Sequence, residues 1–246
     1  MISARIWVDI PEAALDAEAG YRRVQRLLDA FRRVVPDLQH WHGGLNTPRQ
    51  KYVEFFDKEA MLERIDERMK QYAAEFIHLP HGFLIHLDSD TSSKRTPGLF
   101  ELGYTPTERS IFLDIYRPDE AFGPSAAQVV RDVLTAIVEL EEVEYAFVDV
   151  RDRVPDKPRP TTYLVSYAAF LHRKALGWMG YVPRRVTADQ LPSAAELVQV
   201  PGKGTVIVAV NDAFSLANKA HIKQANIVEM ELVDLDLLPV TDPSLQ

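Results

Sequence analysis

This sequence predicts an α+β fold: a largely antiparallel sheet flanked by helices. Three observations carry that expectation. Strand-like alternation and helix-like spacing follow one another along the chain without the regular βαβ cadence of a parallel sheet. Between residues 83 and 116 three strand-like runs occur in succession with turn residues between them, the pattern of an antiparallel meander. Hydrophobic residues make up 46% and charged residues 26% of the 246, which is globular rather than disordered composition. One domain over 1–246 is expected, with sub-halves 1–150 and 161–246 on either side of a Pro-punctuated segment, "RDRVPDKPRP" (151–160).

The elements follow in order. Ile2, Ala4, Ile6, Val8 and Ile10 alternate with Ser3, Arg5 and Asp9, which is a strand with one buried face. Val24, Leu27, Leu28, Phe31, Val34 and Val35 then recur at helical spacing, and Pro36 ends that helix. A second helix, rich in charge, is predicted from about Asp57 to Phe76. "FLIHLDS" (83–89), "LFELGY" (99–104) and "SIFLDIY" (110–116) form the meander. Ser125 with Gln128 reads as a capping box before a helix whose buried stripe is Val129, Val130, Val133, Leu134, Ile137 and Val138. "YAFVDV" (145–150) is a strand, as are "TYLVSYAAF" (162–170), which also has a helical reading, and "LGWMGYVP" (176–183). Thr187–Gln190 and Ser193–Glu196 read as two further capping boxes. A strand at 204–210 and a helix from about Asn218 to Leu235 complete the chain.

Thirty-six acidic residues against 28 basic ones leave a formal charge of −8. Phosphate affinity comes from Lys and Arg, so direct nucleic-acid binding is not expected. A basic protein partner suits that charge better, because opposite charge speeds encounter. There is no cysteine, which excludes disulfides, thiolate nucleophiles and Cys-type zinc sites. No leader pattern opens the sequence and no apolar run reaches the ~20 residues that span a bilayer, so a cytoplasmic chain with no membrane partner is expected.

Each candidate for chemistry has a simpler structural reading. "VPGKGTVIVAV" (200–210) invites a phosphate loop. A P-loop, however, needs a glycine where Leu197 stands and Ser or Thr where Gly204 stands, and it must open a helix rather than a strand. A hairpin turn fits instead. His40 and His42 share a face if extended, and His78, His81 and His86 are near in sequence, but the His-Glu-x-x-His spacing of a zinc helix is absent. "GPSAA" (123–127) lacks the final glycine and the leading strand of a nucleophile elbow. Neither a Rossmann fingerprint nor the Glu-x-Lys tripeptide of a restriction-endonuclease core occurs. No catalytic residue, cofactor or metal is therefore expected.

The acidic clusters are more informative. Glu139, Glu141, Glu142 and Glu144 end a helix, where carboxylates oppose the helix dipole and gain nothing locally. Asp88 and Asp90 follow "FLIH". These six residues are the candidate contacts for a basic partner, with the helix-end glutamates favoured.

A family resemblance adds the functional reading. Gly177-Trp178-Met179 with Tyr181 and Pro183, the Gly-Lys-Gly-Thr turn (202–205), Asn226 with Glu229 or Glu231, and the closing Leu237-Leu238-Pro239 resemble the C-terminal half of the immunity protein 52 family of polymorphic-toxin and type VI secretion systems. "WHGG" (41–44) and the second helix fit the same pattern upstream. The resemblance implies a non-catalytic cytoplasmic antidote that binds and blocks a cognate toxin, typically a restriction-endonuclease-like DNase with a basic nuclease domain. Self-association into a homo-oligomer is compatible with it. Two other classes stay open from the residues alone: a metal-dependent hydrolase using His40, His42 and a carboxylate, and a non-catalytic adaptor of a secretion system.

Overall fold

The computed structural model describes residues 1–43, 51–78, 81–92, 94–154, 157–242 and 244. Strand β1 (Ser3–Asp9) is followed by helix α1 (Ala17–Val34), the two-residue strands β2 (His42–Gly43) and β3 (Val53–Glu54), and α2 (Lys58–Glu75). The meander comprises β4 (Ile85–Asp88), β5 (Phe100–Thr105) and β6 (Ser110–Tyr116). Then come α3 (Pro118–Phe122), α4 (Ala126–Leu140), β7 (Tyr145–Asp152), β8 (Thr161–Thr162), α5 (Tyr163–Ser166), β9 (Met179–Val182), β10 (Glu196–Val200), β11 (Gly204–Val208) and α6 (Lys219–Asp234).

All eleven strands join one sheet in the order β10-β11-β9-β7-β1-β6-β5-β4-β2-β3, with β8 pairing β7 off that path. Every strand pairing is antiparallel, as the turn-rich pattern predicts. The first strand lies at the centre, with Ile6 opposite Leu113 on one side and Val148 on the other. The segment 151–160, read as a boundary, begins inside β7, whose Arg151 and Asp152 pair with Thr162 and Thr161; Pro155 and Asp156 lie outside the described residues. The sheet runs on through β9 to the β10–β11 hairpin, so residues before and after 151–160 share one sheet.

Period-two alternation divides the sheet into two faces. Ala4, Ile6 and Val8 point with Leu102, Leu113 and Val148 toward α1 and α4, whose Val24, Leu27, Phe31, Val130, Val133 and Ile137 are buried with them in one core. Helix α4 also reaches the β9–β11 end of that face. The opposite face is covered only in part. Helix α6 and the stretch from Tyr163 to Gly177 close it over β7, β9 and β11, where Ile207 and Val182 are buried. Over β1, β6, β5 and β4 no helix of the described residues lies on it, and Arg5 and His86 keep 36% and 49% of their side chains exposed.

Three local expectations are corrected. Ser125 makes no side-chain cap, because a 3₁₀ turn over Gly123–Ser125 already holds it in helical conformation. Ser193 and Glu196 do not cap each other: the Ser193 hydroxyl donates to Glu231 at 2.6 Å, and Glu196, on β10, accepts from Arg131. Of "TYLVSYAAF", only Thr162 is strand; Tyr163–Ser166 form one helical turn, opened by the Thr162 side chain accepting from the Val165 N–H. At Thr187–Gln190 half of the predicted box forms: Gln190 accepts from the Thr187 N–H at 3.1 Å, but the Thr187 hydroxyl donates to Gln190 instead of accepting from it, and the segment is a turn.

Candidate docking surfaces

The helix-end glutamates separate into different environments. Glu141 is only 4% exposed, with the Tyr104 hydroxyl donating to Oε2 at 3.1 Å and the Arg23 guanidinium 3.6 Å away. Burial raises its carboxyl above the usual range, while Arg23 and the Tyr104 hydrogen bond pull it back. The same burial, with the Glu141 charge, pushes Tyr104 up to about 12. Lys203, the lysine of the glycine-flanked turn, donates to the Glu141 backbone carbonyl at the C-cap of α4. A cation there complements the negative helix end, so the turn supplies what the local sequence lacks. Glu144 pairs with Arg109 at 2.7 Å. Glu139 and Glu142 are exposed and have no ionic partner among the described residues.

Asp88 and Asp90 lie elsewhere. Asp88 projects from the uncovered sheet face, opposite Glu101 on β5 and His42 on β2. The helix-end cluster belongs to the covered side, since Tyr104, which binds Glu141, points into the core. The structure therefore does not bring the six candidates together. Asp90 is exposed, and its Oδ1 accepts from the Ser92 N–H at 3.1 Å.

The uncovered face has its own construction. The Arg5 guanidinium carbon lies 5.1 Å from the ring centroids of both Trp7 and Phe112, and its Nε donates to Asp114 at 2.9 Å. Phe112 lies across Gly103, where a Cβ would come within 2.1 Å of the ring. His86 meets the Phe112 ring at 5.6 Å and contacts Glu101 through Nε2 at 3.0 Å. That hydrogen bond, with a second from the Tyr116 hydroxyl at 2.7 Å, holds the Glu101 carboxyl at about 2 despite burial. Burial works against charge on His86, but the Glu101 bond and the surrounding carboxylates raise it overall. Asp88 is half-buried, raised chiefly by that burial, and bonded to no side chain among the described residues. His86, Asp88 and Glu101 offer ligand atoms within 4.8 Å of one another, the one group of described residues that could hold a metal ion. An ion there would have to break the His86–Glu101 bond.

Two cavities flank the aromatic pair. One, of about 610 Å³, is floored by Phe112, Gly103, His86 and Asp88 and walled by Arg64 and Arg68 of α2. The other, of about 360 Å³, holds Arg5, Trp7 and Asp149 and is walled by Leu164 and Val165 of α5. Of this surface sequence reasoning named only Asp88 as a contact. The available signal was Trp7, a large aromatic in the exposed register of the first strand.

The residues that carry the family resemblance build the scaffold. Glu229 is 1% exposed; its Oε1 accepts from the N–H groups of Leu176 and Gly177 at 2.8 and 3.2 Å, and Oε2 accepts from Ala169 at 2.9 Å. The Tyr163 hydroxyl donates to Asn226 at 2.6 Å, and the fully buried Trp178 indole donates to the Val210 carbonyl at 2.8 Å. Gly177 takes φ +68° against the Val148 carbonyl. The Gly-Lys-Gly-Thr stretch is the hairpin turn between β10 and β11 and opens no helix. Gly44 of "WHGG" lies outside the described residues; Trp41 is buried against Phe31 and Phe100, and His40 and His42 stack at 6.4 Å.

The chain is thus a broad antiparallel sheet with an uneven helix layer, and the residues that carry the resemblance support that scaffold. A Pseudomonas aeruginosa T6SS protein of known structure is similar to it at a TM-score of 0.52 and 11% identity, over 94% of this chain and 72% of that one. At that identity the likeness is one of fold. Residues 123–240 match the family described as Immunity protein 52. No curated protein matches the sequence. Among the described residues, no helix is long and apolar enough to cross a membrane.

Proposed function

We propose that this chain is the antidote of a toxin–immunity pair: a cytoplasmic protein that binds one cognate secreted toxin and holds it inactive without chemistry of its own. The family match over residues 123–240 is the observation that carries the reading. The fold shared with a T6SS protein is consistent with a toxin delivered by type VI secretion. A basic, restriction-endonuclease-like DNase is the toxin class we favour, because a formal charge of −8 complements a domain that must itself grip DNA.

The test is neutralisation. Proteins captured by this chain from the source organism are identified by mass spectrometry, then expressed singly in a heterologous bacterium with and without it. A captured protein that kills alone, degrades chromosomal DNA, and is tolerated when co-expressed meets the expectation. If no captured protein is toxic, or co-expression rescues none, the reading fails. Rescue from a toxin that leaves DNA intact would keep the antidote and remove the nuclease.

A further inference from the structure

We infer that the uncovered sheet face between α2 and α5 is where the toxin docks, and that the docking element brings a lysine or arginine to Asp88 and an apolar side chain onto Trp7 and Phe112. This rests on the antidote reading above and adds the surface and the chemistry of contact.

Four observations converge on this face. The other sheet face is filled by α1 and α4, whereas here four adjacent strands lack a covering layer among the described residues. From β4 to β1 is three interstrand spacings, about 14 Å, and the walls are helices on either side. One helix or hairpin about 10–12 Å wide fits that trough. Its centre is an aromatic pair with an arginine across both rings, the residue types that dominate binding energy at protein interfaces.

Charge then selects the partner. Asp114 is answered by Arg5 and Glu101 by His86 and Tyr116, each within the face. Asp88 has no such answer among the described residues, although it is half-buried at the floor of the larger cavity. An unpaired carboxylate in a cavity is costly alone and favourable once a cation reaches it. By contrast, at the helix end Glu141 and Glu144 are already answered by Arg23 and Arg109, while Glu139 and Glu142 are exposed to solvent.

The face carries its own reporter. Of the three tryptophans, Trp41 and Trp178 are fully buried, and only Trp7 reaches solvent. Acrylamide quenching of the Trp7 component, taken as wild type minus Trp7→Phe, is therefore a direct readout. The probe is the toxin identified by neutralisation, in a catalytically inactive form, titrated onto the full chain. The inference expects quenching of Trp7 to fall on binding. Asp88→Lys should weaken affinity about tenfold or more at unchanged Tm, while Glu142→Lys changes it less than about threefold.

Unchanged Trp7 quenching in a complex that forms normally would overturn the inference and leave the antidote reading intact. Loss of affinity in Glu142→Lys but not in Asp88→Lys would do the same and return the interface to the helix end. Trp7 protection that grows with the concentration of this chain alone would mean a second copy fills the trough, which also overturns it. If the wild-type chain neutralises nothing, both readings fall together.

Discussion

The Tyr104 hydroxyl on β5 donates to the Glu141 carboxylate at the end of α4, across 37 residues of sequence and 3.1 Å of space. This one bond changes what Glu141 can be. As a surface glutamate it would be a charge to reverse freely; as a buried acceptor beside Arg23 it ties helix layer to sheet.

Glu141→Ala should therefore destabilise the fold by about 1–3 kcal/mol, because it strands the buried Tyr104 phenol, whereas Arg23 can turn to solvent. Glu141→Gln keeps an acceptor for Tyr104 and should cost less. Glu142→Lys, on the exposed neighbour, should stay within about 0.5 kcal/mol. Urea denaturation of the three variants checks the order, and equal midpoints for Glu141→Ala and Glu142→Lys would contradict it.

Glu229 invites a similar comparison. Removing its carboxylate with Glu229→Ala orphans three backbone N–H groups in the interior, a loss of about 3 kcal/mol or more. In Glu229→Gln the amide oxygen can still serve Leu176 and Gly177, but its NH₂ group then faces the Ala169 N–H, so about half the loss should remain. Amide exchange at Leu176 and Gly177 should quicken most in the alanine variant.

The His86–Glu101 pair predicts a pH dependence with a sign on each side. Glu101 is held below its ordinary 4.5, at about 2, so its stabilisation is complete above 4.5 and is lost as pH falls toward 2. His86 is raised above 6.5, so its contribution is complete below 6.5 and is lost as pH rises through the folded value. The pair is strongest between those limits. The basic slope should be shallow, since the His86 side chain is half exposed and solvent screens it. Thermal melts from pH 3 to 8 should show both slopes, and Glu101→Gln should flatten both.

Two glycines with left-handed backbones should respond differently to the same change. At Gly177 an alanine Cβ would sit 2.2 Å from the Val148 carbonyl, adding a clash to an unfavourable φ, so Gly177→Ala should cost about 3 kcal/mol or more. At Gly202 nothing lies within 4 Å, and Gly202→Ala should cost only about 1–2 kcal/mol. Comparable losses at the two sites would show that backbone conformation alone governs them.

Much of the fold was legible. Helices α2 and α6 and strands β1, β5, β6 and β7 lie within a residue or two of their expected bounds, and α1 ends where Pro36 predicts but begins at Ala17, before the first apolar position of its predicted stripe, Val24; each carries its own period, and α1, α2 and α6 their own polar cap. The short elements were not legible: β2 and β3 have two residues each, too few to show alternation, and Tyr163–Ser166 is helical only because Thr162 and Asp149 accept its first N–H groups. The surface was less visible still. That Glu141 is buried and Asp88 unpaired depends on Tyr104, Arg23 and Glu101, and one sequence cannot say which strands are neighbours. The glycine-flanked turn was rightly separated from a phosphate loop by its spacing, but its lysine's partner, the end of α4, could not be inferred from residues 62 positions away.

The position of β1 has a consequence in time. Asp9 pairs with Tyr145 on one side and Ser110 on the other, so the first strand made is completed only by one made much later. At ribosomal speeds of about 5–20 residues per second, β1 waits roughly 7–30 s for β7 to leave the ribosome, exposing Ile6 and Val8 meanwhile. Until then no finished sheet exists, and β9–β11 cannot add to it. A newly made molecule therefore completes its sheet late, and whatever this chain binds is met by copies whose synthesis has ended rather than by nascent ones.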